Sequence, residues 1–170
     1  GVLHILEPRD YRVHDLSGLA ISVSDNTATN VLLDYYGLEK INRLVGERFP
    51  DTRIRRRMMD FSARNEGRLN TTTLGDARRV LTELIADRRV RPFFTARYQR
   101  TMFLRDTTDE GIPFFHKTGV LHDVAADVGI LETERGSYFI GAIVNGLSDG
   151  LWVESMLSGL FADTLELLRP

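Results

Sequence analysis

Apolar positions recur three and four apart through the first part of the chain and alternate through the later part. Leu16, Leu19, Ala20 and Val23 share one helical face, and Ala28, Val31, Leu32 and Tyr35 share another. The spacing predicts helices over about 13–23 and about 26–36, the second closed by Gly37. A third follows over about 38–49 and stops at Pro50. A fourth covers about 74–87, with Ala77, Val80, Leu81 and Leu84 on one face, and a fifth opens at Pro92 and runs to about 104. Residues 51–70 are polar and Arg-rich; they are expected to form a loop lining a site, anchored by Met58, Met59 and Phe61. Beyond a polar turn at 106–111 the period changes. Segments 114–118, 125–132 and 138–145 are rich in β-branched and aromatic residues and predict three strands, with a hairpin tip at 133–137. Asp149-Gly150 breaks the pattern, and 151–168 closes the chain as a helix. Helices, an antiparallel meander and a last helix make an α+β layout. It reads as one domain over 1–170, helical over 13–110, with the sheet and closing helix over 111–170. Tyr138 to Val144 is apolar on both faces, which predicts a central strand covered on two sides.

Composition narrows the chemistry by exclusion. A formal net charge of -2 gives no reason to expect nucleic acid as a partner. Arg53, Arg55, Arg56 and Arg57 form a local basic run without interleaved aromatics, which reads as a solvated face. No stretch has the apolar length of a membrane span. The chain has no cysteine, so disulfides, thiolate catalysis and cysteine–zinc sites are excluded. His4, His14, His116 and His122 show no metal-ligand spacing and there is no Gly-rich phosphate loop, so neither metal nor cofactor is expected.

Two polar stretches stand out. Ser24-Asp25-Asn26 interrupts the first two helical runs; such residues are poor inside helices and good at their starts. Asp25 reads as structural, folding the junction through local side-chain-to-backbone bonds. The second stretch, His116-Lys117-Thr118-Gly119, ends the apolar run 112–115. A lysine there is costly unless paired or functional, the plain alternative being an edge lysine whose tip reaches water.

Taken together and in this order, the two stretches resemble the second and third motifs of the penicillin-recognising serine enzymes, the class A β-lactamases and penicillin-binding proteins. Residues 19–21 and 27–33 around the first motif look like the class A pattern as well. The resemblance implies a helical region bearing Ser24 beside a sheet bearing Lys117, with a cleft between them. It implies that Lys117 supplies positive charge near Ser24 and the substrate carboxylate, and that Thr118 hydrogen-bonds that carboxylate. Gly119 would let the substrate backbone lie close, and the N–H of Val120 would form half of the oxyanion hole. Ser24 would relay a proton to the leaving nitrogen, and Asn26 would orient the substrate amide. Relatives of this kind are exported, periplasmic or extracellular.

The family's first motif, Ser-x-x-Lys, is not found. The only lysines are Lys40 and Lys117, and three residues before them stand Gly37 and Phe114. The expectation is therefore a C-terminal part whose nucleophile lies outside this chain. Such a part would either need its N-terminal partner segment or self-associate through the sheet edge. Glu66, four residues before Asn70, echoes the class A residue that activates the deacylating water. Here Gly67 stands where proline is expected and the loop is short, so a solvated acid in an Arg-rich loop is an equal reading. Asp127 and Val128 occupy the strand region where class A enzymes carry a carboxylate-gripping arginine. Two functions follow: a serine acyl hydrolase acting on a small-molecule or peptide amide, or a non-catalytic binding or assembly protein that keeps the cleft.

Overall fold

The structure, a computed structural model, describes residues 1–95, 101–106, 112–147 and 151–168. It divides into two compact units, Gly1–Val80 and Leu81–Pro170.

In the first unit a short 3-10 turn, Leu3–Ile5, precedes α1 (Val13–Ser22), α2 (Asn26–Tyr36), α3 (Leu38–Arg48) and α4 (Phe61–Asn65). Helix α1 packs on α2, and Leu3, Leu16 and Ala28 form the buried centre of that contact. Gly37 closes α2 as the spacing predicts. It sits at φ 79°, a left-handed conformation that glycine enters without a Cβ penalty, and its N–H bonds to the Leu33 carbonyl at 2.9 Å. Helix α5 (Leu74–Ala86) contains the boundary between the units.

The second unit continues with a 3-10 turn, Arg91–Phe94, and an antiparallel meander of β1 (Phe114–Val120), β2 (Val124–Thr133) and β3 (Gly136–Asn145). Helix α6 (Leu151–Leu168) follows. Alternation along the strands places Phe114, Ala125 and Leu131 on one side of the sheet, where they meet Val153, Leu157 and Phe161 of α6 and Phe103. The rings of Phe103, Phe114 and Phe161 lie 5.2–6.0 Å apart between centroids. Full burial of each such side chain stabilises the unit by about 2–3 kcal/mol.

Three expectations need correction. The segment 51–70 is not all loop, since α4 lies within it. Met59 and Phe61 do not anchor it, being 60% and 49% exposed. The helix expected over 92–104 is a 3-10 turn at Arg91–Phe94, and 101–106 is a turn. The N–H groups of Met102 and Phe103 are bonded to Asp127 and so cannot serve a helix. The continuation through 96–100, the polar turn at 107–111 and the break at 149–150 fall outside the described residues. Among the described residues β3 pairs with β2 alone and its side chains are half-exposed, so within this chain it is an edge. No described helix is long and apolar enough to cross a membrane.

Candidate functional site

Ser24 lies where α1 has ended and α2 has not begun. Its φ of 53° is left-handed, a conformation that costs a side-chain-bearing residue about 1–2 kcal/mol. Asp25 shows what holds it there. The Asp25 carboxylate is fully buried and accepts the N–H of Ala28 at 2.9 Å and of Leu3 at 2.7 Å. Burial works against its charge, but the N–H donors of Ala28, Leu3 and Val2 prevail and hold its pKa below the ordinary carboxylate value. The Thr29 hydroxyl and N–H both donate to the Asp25 carbonyl. Ser24 and Asn26 therefore flank a locked residue, and both stay half-buried with a route to solvent. Backbone strain over-determined by neighbouring bonds is a feature of functional sites.

The Arg-rich segment is held by asparagines. Asn42 accepts the Ile54 N–H at 2.8 Å and donates to the Ile54 carbonyl at 2.6 Å. Asn30 does the same for Met58, at 2.7 and 3.1 Å. Asn70 accepts from the Arg55 and Arg56 N–H groups and donates to the Arg56 carbonyl. Each amide pairs the backbone much as a neighbouring strand would. Asp76 adds a fourth tie, accepting the Asp51 N–H and the Thr52 hydroxyl. Burial opposes the Asp76 charge, yet these donors and Arg79 lower its pKa. Glu66 sits outside this lattice, exposed at the end of α4 and paired with Arg68 at 2.6 Å.

In the second unit β1 carries Lys117, Thr118, Gly119 and Val120. Lys117 is half-buried and its Nζ donates to the Thr118 carbonyl at 2.7 Å. Burial pushes its pKa down to about 8, against an opposing pull from the Asp127 charge. The Thr118 side chain is buried, while Val120 at the strand end is exposed. A Cβ placed on Gly119 would meet nothing within 4 Å, so the space beside the strand is open there.

Behind this strand end lies a cluster that sequence reasoning missed. Asp127 is fully buried and pairs in register with Thr118. It accepts the Thr101 hydroxyl, the Met102 N–H at 2.7 Å and the Phe103 N–H at 3.4 Å. His116, also buried, brings Nδ1 to 3.2 Å from its other oxygen. The His116 ring stacks on Phe114 at 5.6 Å, and Gly129 opposite leaves room for both: a Cβ there would come within 2.3 Å of the Phe114 ring. Strand parity held the signal, because Ala125, Asp127, Gly129 and Leu131 must share one face and two of them are core residues. Ser24, Asn26 and Glu66 belong to the first unit and the β1 residues to the second. Among the described residues no group of three acids or histidines is placed to hold a metal ion.

The sequence model of the Beta-lactamase enzyme family matches residues 1–155. No curated protein matches the chain. The beta-lactamase from Sphaerobacter thermophilus is similar at 27% identity and TM-score 0.80, over 99% of this chain and 68% of that one. PBP-A is similar in fold at 23% identity and TM-score 0.72, over 96% and 66%. A further PBP-A structure is an acyl-enzyme complex with penicillin G. The chromosome-encoded beta-lactamase of Vibrio parahaemolyticus shares the fold at 16% identity and TM-score 0.81, over 99% and 69%. The chain thus spans roughly two thirds of the length of these proteins, and its fold is the α+β fold of β-lactamases and transpeptidases.

Proposed function

The chain belongs to the beta-lactamase enzyme family of serine enzymes, and from that premise we propose that the complete protein is a serine acyl hydrolase working through an acyl-enzyme. The substrate is a β-lactam or a related amide or ester carrying a carboxylate. The nucleophilic serine comes from a segment outside this chain. The observation that carries the reading is Lys117: a half-buried lysine at the open end of β1, its pKa drawn down to about 8, next to Thr118 and Gly119.

In this reading the ammonium of Lys117 and the hydroxyl of Thr118 bind the substrate carboxylate. The Val120 N–H donates to the oxyanion as the carbonyl carbon becomes tetrahedral. Ser24 passes a proton to the departing nitrogen, and Asn26 holds the substrate amide. The two units act as one catalytic domain in a protein that is exported. Glu66, exposed and paired with Arg68, is not given the role of water-activating base, so deacylation is slow.

The segment that supplies the nucleophile also supplies a strand to the unpaired side of β3. Alone, the 170-residue chain self-associates through that apolar edge. Sedimentation tests this part, and a cooperatively melting monomer would contradict it. The functional reading is tested with a fluorescent penicillin and peptide mapping. The complete protein takes one label, on a serine outside residues 1–170, and the isolated chain takes none. A complete protein that stays unlabelled is instead the non-catalytic binder.

A further inference from the structure

The buried cluster behind β1 has no part in the steps above, yet its place is hard to explain by packing alone. Asp127 and His116 are both buried, with His116 stacked on the Phe114 ring of the apolar core and Asp127 bonded to the Phe103 N–H, where apolar side chains of similar size would fill the space without a desolvation cost. A carboxylate in such a setting keeps its charge only if its lone pairs are filled. The Thr101 hydroxyl, two backbone N–H groups and the His116 ring fill them here. Asp127 stands directly across the ladder from Thr118, the residue after Lys117, and His116 is the residue before it. The carboxylate and the ammonium thus occupy opposite faces of the same two-strand ladder, in a region of low dielectric.

We propose that Asp127 is a positioning residue for Lys117. Its buried carboxylate keeps the ammonium charged, and its bonds to His116 and to the 101–103 turn fix the strand that carries it. This rests on the role given to Lys117 above. Among described groups of this unit, Asp127 on β2 and His116 on β1 adjoin Lys117. Arg91 lies over the Phe115 ring on the Lys117 face of β1 and is paired with Glu132 of β2. The direction of the Lys117 titration agrees: burial lowers it, and the Asp127 charge opposes the lowering.

The test reads the lysine and needs no turnover. In the complete protein labelled with 13Cε-lysine, the Lys117→Arg variant assigns the Lys117 signal. Its midpoint moves down by about one unit from that of the unaltered protein in Asp127→Asn and returns towards the original in Asp127→Glu. An unmoved midpoint in a cooperatively melting Asp127→Asn overturns the proposal and leaves Asp127 a packing residue. If that variant does not fold, the 13Cγ signal of Asp127 in the unaltered protein decides. A step at the Lys117 midpoint that vanishes in Lys117→Arg supports the coupling, and a flat signal there refutes it. A protein inert to penicillin whose Lys117 midpoint still follows Asp127 refutes only the functional reading.

Discussion

Asp25, Asp76 and Asp127 are equally inaccessible to solvent, but they differ in where their partners lie along the chain. Asp25 and Asp76 stand at helix starts in the first unit. Each has a partner three residues on, Ala28 or Arg79, and then reaches back to an earlier segment, Leu3 or Asp51 and Thr52. Asp127 lies on a strand, and the nearest in sequence of the partners described above is His116, eleven residues away. A helix-start carboxylate is half satisfied before tertiary structure forms. A strand carboxylate has nothing until the sheet and the 101–103 turn come together. The first kind serves as a local brace, and the second makes the unit's assembly depend on one charge.

The largest expected effect follows from that difference. Asp127→Ala leaves buried donors and His116 without an acceptor and costs about 3–5 kcal/mol in equilibrium unfolding of the complete protein. Asp25→Ala, with its contacts partly replaceable by water, costs about 1–3 kcal/mol. Equal losses would erase the distinction. The acid side sharpens it. The folded-state pKa of Asp25 is depressed, so its contribution is present above the unfolded value near about 4 and is lost as pH falls through the lower native value. In Asp25→Asn the acid limb of the stability curve should flatten.

Lys117 has a depressed pKa as well, so stability again rises with pH, but here the charged form is the one that folding disfavours. Its folded pKa lies below that of the unfolded chain, so charging it in the folded state costs stability below about 8. That cost is relieved as pH rises from about 8 towards 10.5. Acylation should decline over the range in which stability improves, and Lys117→Met should remove the rise. The smallest effect belongs to Glu66. As one half of an exposed ion pair it should alter stability by less than about 0.5 kcal/mol when changed to Gln. Penicillin turnover, slow under the proposed function, should stay within about twofold. Rapid turnover with an acyl-enzyme trapped in Glu66→Ala would restore the water-activating role.

The sequence was legible wherever burial is apolar. Period placed α1, α2, α5, α6 and the three strands within a few residues, and α6 at its observed limits. It was silent where polar groups are buried. Asparagine clamps at Asn30, Asn42 and Asn70 look like loop residues until their backbone partners are known, and hydropathy alone points to Met59 and Phe61 as anchors that the segment does not need. The helix expected after Pro92 failed for a related reason, since the N–H groups it required go to a carboxylate about 25 residues away. At the candidate site the sequence named Ser24 and Lys117 but not the left-handed backbone of the first or the charge behind the second. Both depend on contacts from distant segments, which no spacing rule records.

Time-resolved intact mass of the complete protein with benzylpenicillin, compared with its Lys117→Ala variant, tests the central claim most directly. The account predicts one penicillin per chain in both, formed at least about tenfold more slowly in the variant, in keeping with about 2–4 kcal/mol for a preorganised electrostatic contact. Equal rates would remove Lys117 from the chemistry and with it the reading of this chain as the substrate-binding part of a serine acyl hydrolase.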